Sequence, residues 1–100
     1  MPPSTHTFTA HLWEMKSTGA WVFVTVSQDA SDAIRAVPRP PRPGFGSIRV
    51  RARLGESRWA TSIFPESKSG CYVLPVKKAV RQAEGVDVGD AIEVTIEIVE

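Results

Sequence analysis

Arg49, Arg51 and Arg53 recur at every second residue, and Arg58 follows five positions later. Guanidinium groups spaced at the period of a strand line up on one face, where they can contact phosphates. Lys77, Lys78 and Arg81 form a second basic cluster with no acidic residue between them. Trp13 and Trp21 add flat rings on which nucleobases can stack. Anion binding is therefore the chemistry these residue types offer.

Other chemistries have weaker support. Ser62 sits in Thr-Ser-Ile, without the flanking glycines of a nucleophile elbow and with no His-Asp pair nearby. His6 and His11 are five apart, on opposite faces of a strand, so they cannot chelate together. No Cys and His residues have metal-ligand spacing, and no metal or cofactor is expected. Gly44-Phe45-Gly46 precedes a strand and lacks the third glycine of a dinucleotide loop. Lys68-Ser69-Gly70 reads as a polar loop, and Asp87 and Asp90 as turn residues. Cys71, the single cysteine, reads as a small buried residue and excludes an internal disulfide.

The net charge of +1 hides a segregation. Residues 35–81 carry eleven basic side chains against two acidic ones, a net +9. Residues 82–100 carry six acids and no base, and residues 1–34 are at −2. The 42% hydrophobic and 23% charged residues suit one soluble domain over 1–100. The start lacks a secretory pattern, and the longest apolar run, Ala20 to Val24, is far too short to span a bilayer. A reducing, cytoplasmic setting and no membrane partner are the expectation.

Residues 7–15 alternate, with Phe8, Ala10 and Leu12 against Thr9, His11 and Trp13, and read as one half-buried strand. A turn at 17–19 leads to a strand over 20–26, apolar on both faces, and the two should form a hairpin. Residues 27–37 switch to a helical period, with Ser27 or Asp29 as cap and Ala30, Ala33, Ile34 and Val37 inward. Residues 38–46 form a proline-rich connection, and Met1 to about Thr5 a mobile tail. Arg35, Pro38 and Pro41 have the spacing of a polyproline ligand, but a stiff connector is the simpler account.

Gly55-Glu56 suits a two-residue type II′ turn. That turn pairs Leu54 with Ser57, Arg53 with Arg58, Ala52 with Trp59 and Ile48 with Ile63. All four arginines then share the outer face with Ala60 and Ser62. A short strand at 71–74 leads to a helix with Pro75 at its first position. Val76, Ala79, Val80 and Ala83 form its inner side and Gly85 its C-terminal cap. Residues 91–100 alternate Ile92, Val94, Ile96 and Ile98 against Glu93, Thr95 and Glu97.

Two pieces are specific enough to carry a resemblance: Trp59-x-Thr61-Ser62-x-Phe64-Pro65, and Tyr72-x-Leu74-Pro75-Val76-Lys77-x-x-Val80-Arg81 followed by Gly89-Asp90. With the strands around them, from Phe8 to Val99, they resemble the bacterial domain of unknown function 1905 family. The resemblance implies an all-β fold, a closed or split six-stranded small β-barrel with two short helices. It implies no activity, so no catalytic residue carries over. The expected function is a non-enzymatic binding module for polyanions such as nucleic acid, using Arg49, Arg51, Arg53, Arg58, Lys77, Lys78 and Arg81. The chain is expected as a monomer or weak dimer. The alternative is a small-molecule barrel or cryptic enzyme with a site near Trp59, Ser62 and Arg81. Everything turns on one point: Glu93 and Glu97 either interleave with the arginines in an ion-pair lattice or leave them open to a ligand.

Overall fold

The computed structural model describes residues 5–15, 21–37 and 46–99. The expected tail, the turn at 17–19 and most of the proline-rich connection lie outside the described residues. The chain is mostly β. In order, the elements are β1 (Thr5–His11), β2 (Trp13–Met15), β3 (Trp21–Thr25), α1 (Gln28–Ala36), β4 (Ile48–Leu54), β5 (Ser57–Pro65), β6 (Tyr72–Pro75), α2 (Lys78–Glu84) and β7 (Ala91–Ile98). One antiparallel sheet runs β1-β7-β4-β5-β6-β3-β2 and curls into a half-barrel.

The six expected strands become seven because the first is bent at Leu12. β1 pairs with β7, whereas only β2 forms the expected hairpin partner of β3. Both edges of the sheet are thus successive pieces of one chain segment. Leu12 is 1% exposed. Its N–H donates to the Asp90 carbonyl at 2.9 Å, and its carbonyl accepts from Gly89 N–H at 2.8 Å. Asp87 and Asp90 shape that turn: Asp90 Oδ2 accepts from Asp87 N at 2.8 Å, and Asp87 Oδ1 from Val88 N at 2.7 Å.

The β4–β5 hairpin has the register that its turn demands, from Ile48 opposite Ile63 to Leu54 opposite Ser57. Gly55 has φ +59°, as the first central residue of a type II′ turn requires. A Cβ on Gly55 would also run into the Glu84 carboxylate, which accepts from the Ser57 hydroxyl at 2.6 Å. The hairpin tip is tied to α2 in this way.

α1 begins at Ser27, whose Oγ accepts from Ala30 N at 3.3 Å. It buries Ala30 and Ile34 as expected, but Ser31 in place of Ala33. The Ser31 hydroxyl donates to the Val26 carbonyl at 3.2 Å and accepts from Tyr72 N at 3.1 Å. A polar side chain at this position therefore bolts the helix to β6 and to the residue that follows β3. Arg35 fastens the same corner, donating to the Gly70 carbonyl at 2.6 Å and lying over the Tyr72 ring.

α2 differs in its start. Pro75 ends β6, opposite Phe23, and the helix begins only after Lys77. Proline's missing N–H is equally harmless at the end of a short strand. Val80 alone is buried within the helix, while Ala79 and Ala83 are exposed, because seven residues offer room for one anchor. Gly85 closes it in the left-handed conformation, φ 66° and ψ 36°.

The concave side holds the core, with Val24, Val50, Ile63, Leu74, Val94 and Ile96 fully buried. His6 lies opposite Ile96 and is half-buried. Burial lowers its imidazole below the ordinary 6.5, since desolvation penalises the charged form. The unfolded chain therefore takes up a proton that the folded chain resists. This stability contribution is complete above 6.5 and is lost as pH falls from there through the lower folded value. Urea midpoints should drop between about pH 7 and 5 in the native protein, and drop less in His6→Gln. An equal drop in both would assign the effect to other groups.

Candidate functional site

β4 places the arginine stripe. Its residues alternate strictly between buried and exposed, which leaves Arg49, Arg51 and Arg53 on the convex face. Arg53 lies directly opposite Arg58 on one side and Thr95 on the other. Arg51 lies between Ala60 and Glu97, and Arg49 opposite Ser62. Beyond β7 the face turns neutral, with Thr7 and Thr95 sharing a hydroxyl hydrogen bond of 2.9 Å.

Among the described residues, the acids of β7 meet the stripe at Arg51. Arg51 Nη1 approaches Glu97 Oε1 at 3.7 Å, with side chains 74% and 48% exposed. A pair this exposed is worth at most about 1 kcal/mol and weakens with salt. Glu93 does not reach the stripe. It stands opposite Thr9 on β1, and the β4–β7 pairing ends at Arg53 opposite Thr95. Arg53 and Arg58 consequently face one another with no ion pair among the described residues. Like charges directly opposite on a sheet destabilise it. Arg51, Arg53, Arg58, Ala60, Thr95 and Glu97 line an open depression of about 530 Å³.

The helix cluster divides. Lys77 lines a smaller depression together with Trp21 and Ala60, and so extends the basic sheet face. Lys78 is exposed on α2. Arg81 is half-buried, and its Nε donates to the Val76 carbonyl at 3.1 Å, which gives it a structural task. Trp21 is 56% exposed, stacked at 6.1 Å on Phe23, which in turn contacts Trp13 at 5.2 Å. The Trp13 indole N–H is engaged by Thr25 Oγ1 at 3.0 Å, so Trp21 is the more available ring.

The alternative site does not assemble. Trp59 points into the core, 8% exposed, whereas Ser62 lies on the other side of β5 beside Arg49. Arg81 is held at the end of β6. The Trp59 indole N–H has no hydrogen-bond partner among the described residues. Cys71 is buried, with its thiol 3.4 Å from Gln28 Oε1. No group of three metal-binding side chains and no helix long and apolar enough to cross a membrane occurs among the described residues.

The sequence singles out the arginine face and the Trp21 ring, but not the apolar side chains Phe64 and Val99 that join them. A signal was available in Phe64, which continues the alternating outer positions Ala60 and Ser62. Residues 8–96 match the family model described as domain of unknown function (DUF1905). No curated protein matches the chain.

Proposed function

We propose, for a chain that belongs to the DUF1905 family, that its convex sheet face binds polyanions, with nucleic acid as the favoured class. The family description names no activity, so the reading rests on the site. One observation carries it: Arg53 and Arg58 are held opposite each other with no ion pair to either among the described residues, although Glu97, on the strand next to β4, lines the same depression. A fold selected for stability alone gains by placing a carboxylate at either position. An anionic ligand supplies the missing countercharge.

Fluorescence anisotropy of labelled mixed-sequence oligonucleotides, titrated at low and physiological salt, tests this. Phosphate contacts release counterions, at roughly 0.7 logarithmic units of affinity per contact per tenfold salt on single strands. Three or four arginines engaged at once predict micromolar binding at low salt, with a slope of about −2 to −3. Absence of binding at low salt would remove the reading.

A further inference from the structure

We propose that the polyanion is a single-stranded nucleic acid whose unstacked bases lodge against Trp21, an inference that rests on the reading of the basic face given above. Four large hydrophobic side chains are exposed among the described residues: Trp21, Phe64, Val88 and Val99. Three of them, Trp21, Phe64 and Val99, line a single depression of about 400 Å³. Small side chains, Ala60 and Ser62 of β5, lie between them, with Arg49 alongside. The second depression, about 170 Å³, joins Trp21 to Lys77 and shares Ala60. Ala60 also borders the arginine depression, so the three hollows adjoin along one strand.

The sequence explains why the hollow is open. β5 carries Ala60 and Ser62 where bulkier residues would fill the convex face, so no side chain there screens Trp21. Phe23 stacks on Trp21, with the two ring planes inclined by 17°. A flat aromatic wall, a small-residue floor and cationic flanks are the parts that bind single strands: bases stack on the ring while phosphates follow the charge. Three strand spacings separate β3 from β4, roughly 14 Å, so one nucleotide stretch can meet both. A duplex keeps its bases stacked on each other and offers only phosphates, and a polyphosphate has no bases at all. Neither has a use for the apolar hollow.

Three probes separate the possibilities: a single-stranded oligonucleotide, the same sequence as a duplex, and inorganic polyphosphate. Each is measured against native protein, Trp21→Ala, Trp21→Phe and Phe64→Ala, with urea midpoints confirming that each variant folds. The single strand should bind most tightly. Trp21→Ala should weaken it about 5- to 100-fold, with Phe at that position retaining most of the affinity. Polyphosphate binding should not change. Equal binding of all three probes, insensitive to Trp21 yet lost on charge reversal at Arg53 and Arg58, would overturn the stacking proposal and leave the basic face standing. No binding of any probe at low salt would remove both. A dimer seen by sedimentation without nucleic acid, and lost in Trp21→Ala, would assign the hollow to a second copy and overturn the proposal.

Discussion

Replacing Arg53 and Arg58 together by glutamate is expected to weaken oligonucleotide binding about 30- to 1000-fold, while the protein stays folded. The size follows from the geometry. The two side chains are cross-strand neighbours in one depression, so reversing both shifts the local charge by four units within reach of the same phosphates. Juxtaposing like charges at an interface costs several kcal/mol, and every 1.4 kcal/mol is tenfold in affinity. The lysine pair at the same positions keeps the charge and should retain most of the binding, since phosphate contact by a point charge does not need a fork. Reversing Lys77 and Lys78 should cost less, because only Lys77 borders the sheet hollows. Anisotropy titration at fixed salt measures all three. Native affinity in the double glutamate variant would place binding elsewhere on the molecule.

The single reversal Arg58→Glu sharpens the argument. It replaces two opposed arginines with an opposite-charge pair, which should stabilise the hairpin by about 0.2–1 kcal/mol. The same change should weaken ligand binding. A purely structural face predicts the first effect without the second. Arg51 behaves differently, because Glu97 already answers it and its reversal would set two glutamates side by side.

What was legible in the sequence is what local chemistry decides. Gly55-Glu56 fixes the turn, the turn fixes the register, and the register places four arginines on one face. Ser27 and Gly85 cap their helices for equally local reasons. The bend at Leu12 was not legible. An alternating run reads as one strand whatever its partners, and Leu12 is held by Gly89 and Asp90, far along the chain. The same limit applies to the acids. Glu93 and Glu97 share a strand and a face, so both could meet arginine. Which of them does depends on how far β4 extends along β7, and that pairing ends before Glu93. Trp21 was legible as a ring on which bases can stack, but the hollow beside it was not. The hollow emerges only when β5 brings small residues next to Trp21.

Ser31 shows the cost of misplacing one polar side chain, and Ser31→Ala is expected to lose about 2–4 kcal/mol. The helical period assigns Ala33 to the inner face, yet Ser31 is fully buried and Ala33 is exposed. The hydroxyl satisfies two backbone groups, the Val26 carbonyl and the Tyr72 N–H. Alanine fills nearly the same volume, so the loss comes from two stranded polar groups, at about 1–3 kcal/mol each before relaxation. For a domain of 100 residues this lowers the thermal midpoint by roughly 10–20 °C. Ala33→Ser, on the exposed side, should stay within about 0.5 kcal/mol. A loss below that in Ser31→Ala would mean that water or a backbone shift replaces the hydroxyl. Because Ser31 is buried between α1, β3 and β6, away from the convex face, Ser31→Ala measured well below its midpoint should bind oligonucleotide as the native protein does. If affinity falls with stability, the β3–β6 corner that carries Trp21 and Lys77 is not rigid without its hydroxyl bolt, and the hollow depends on α1 as well as on the sheet.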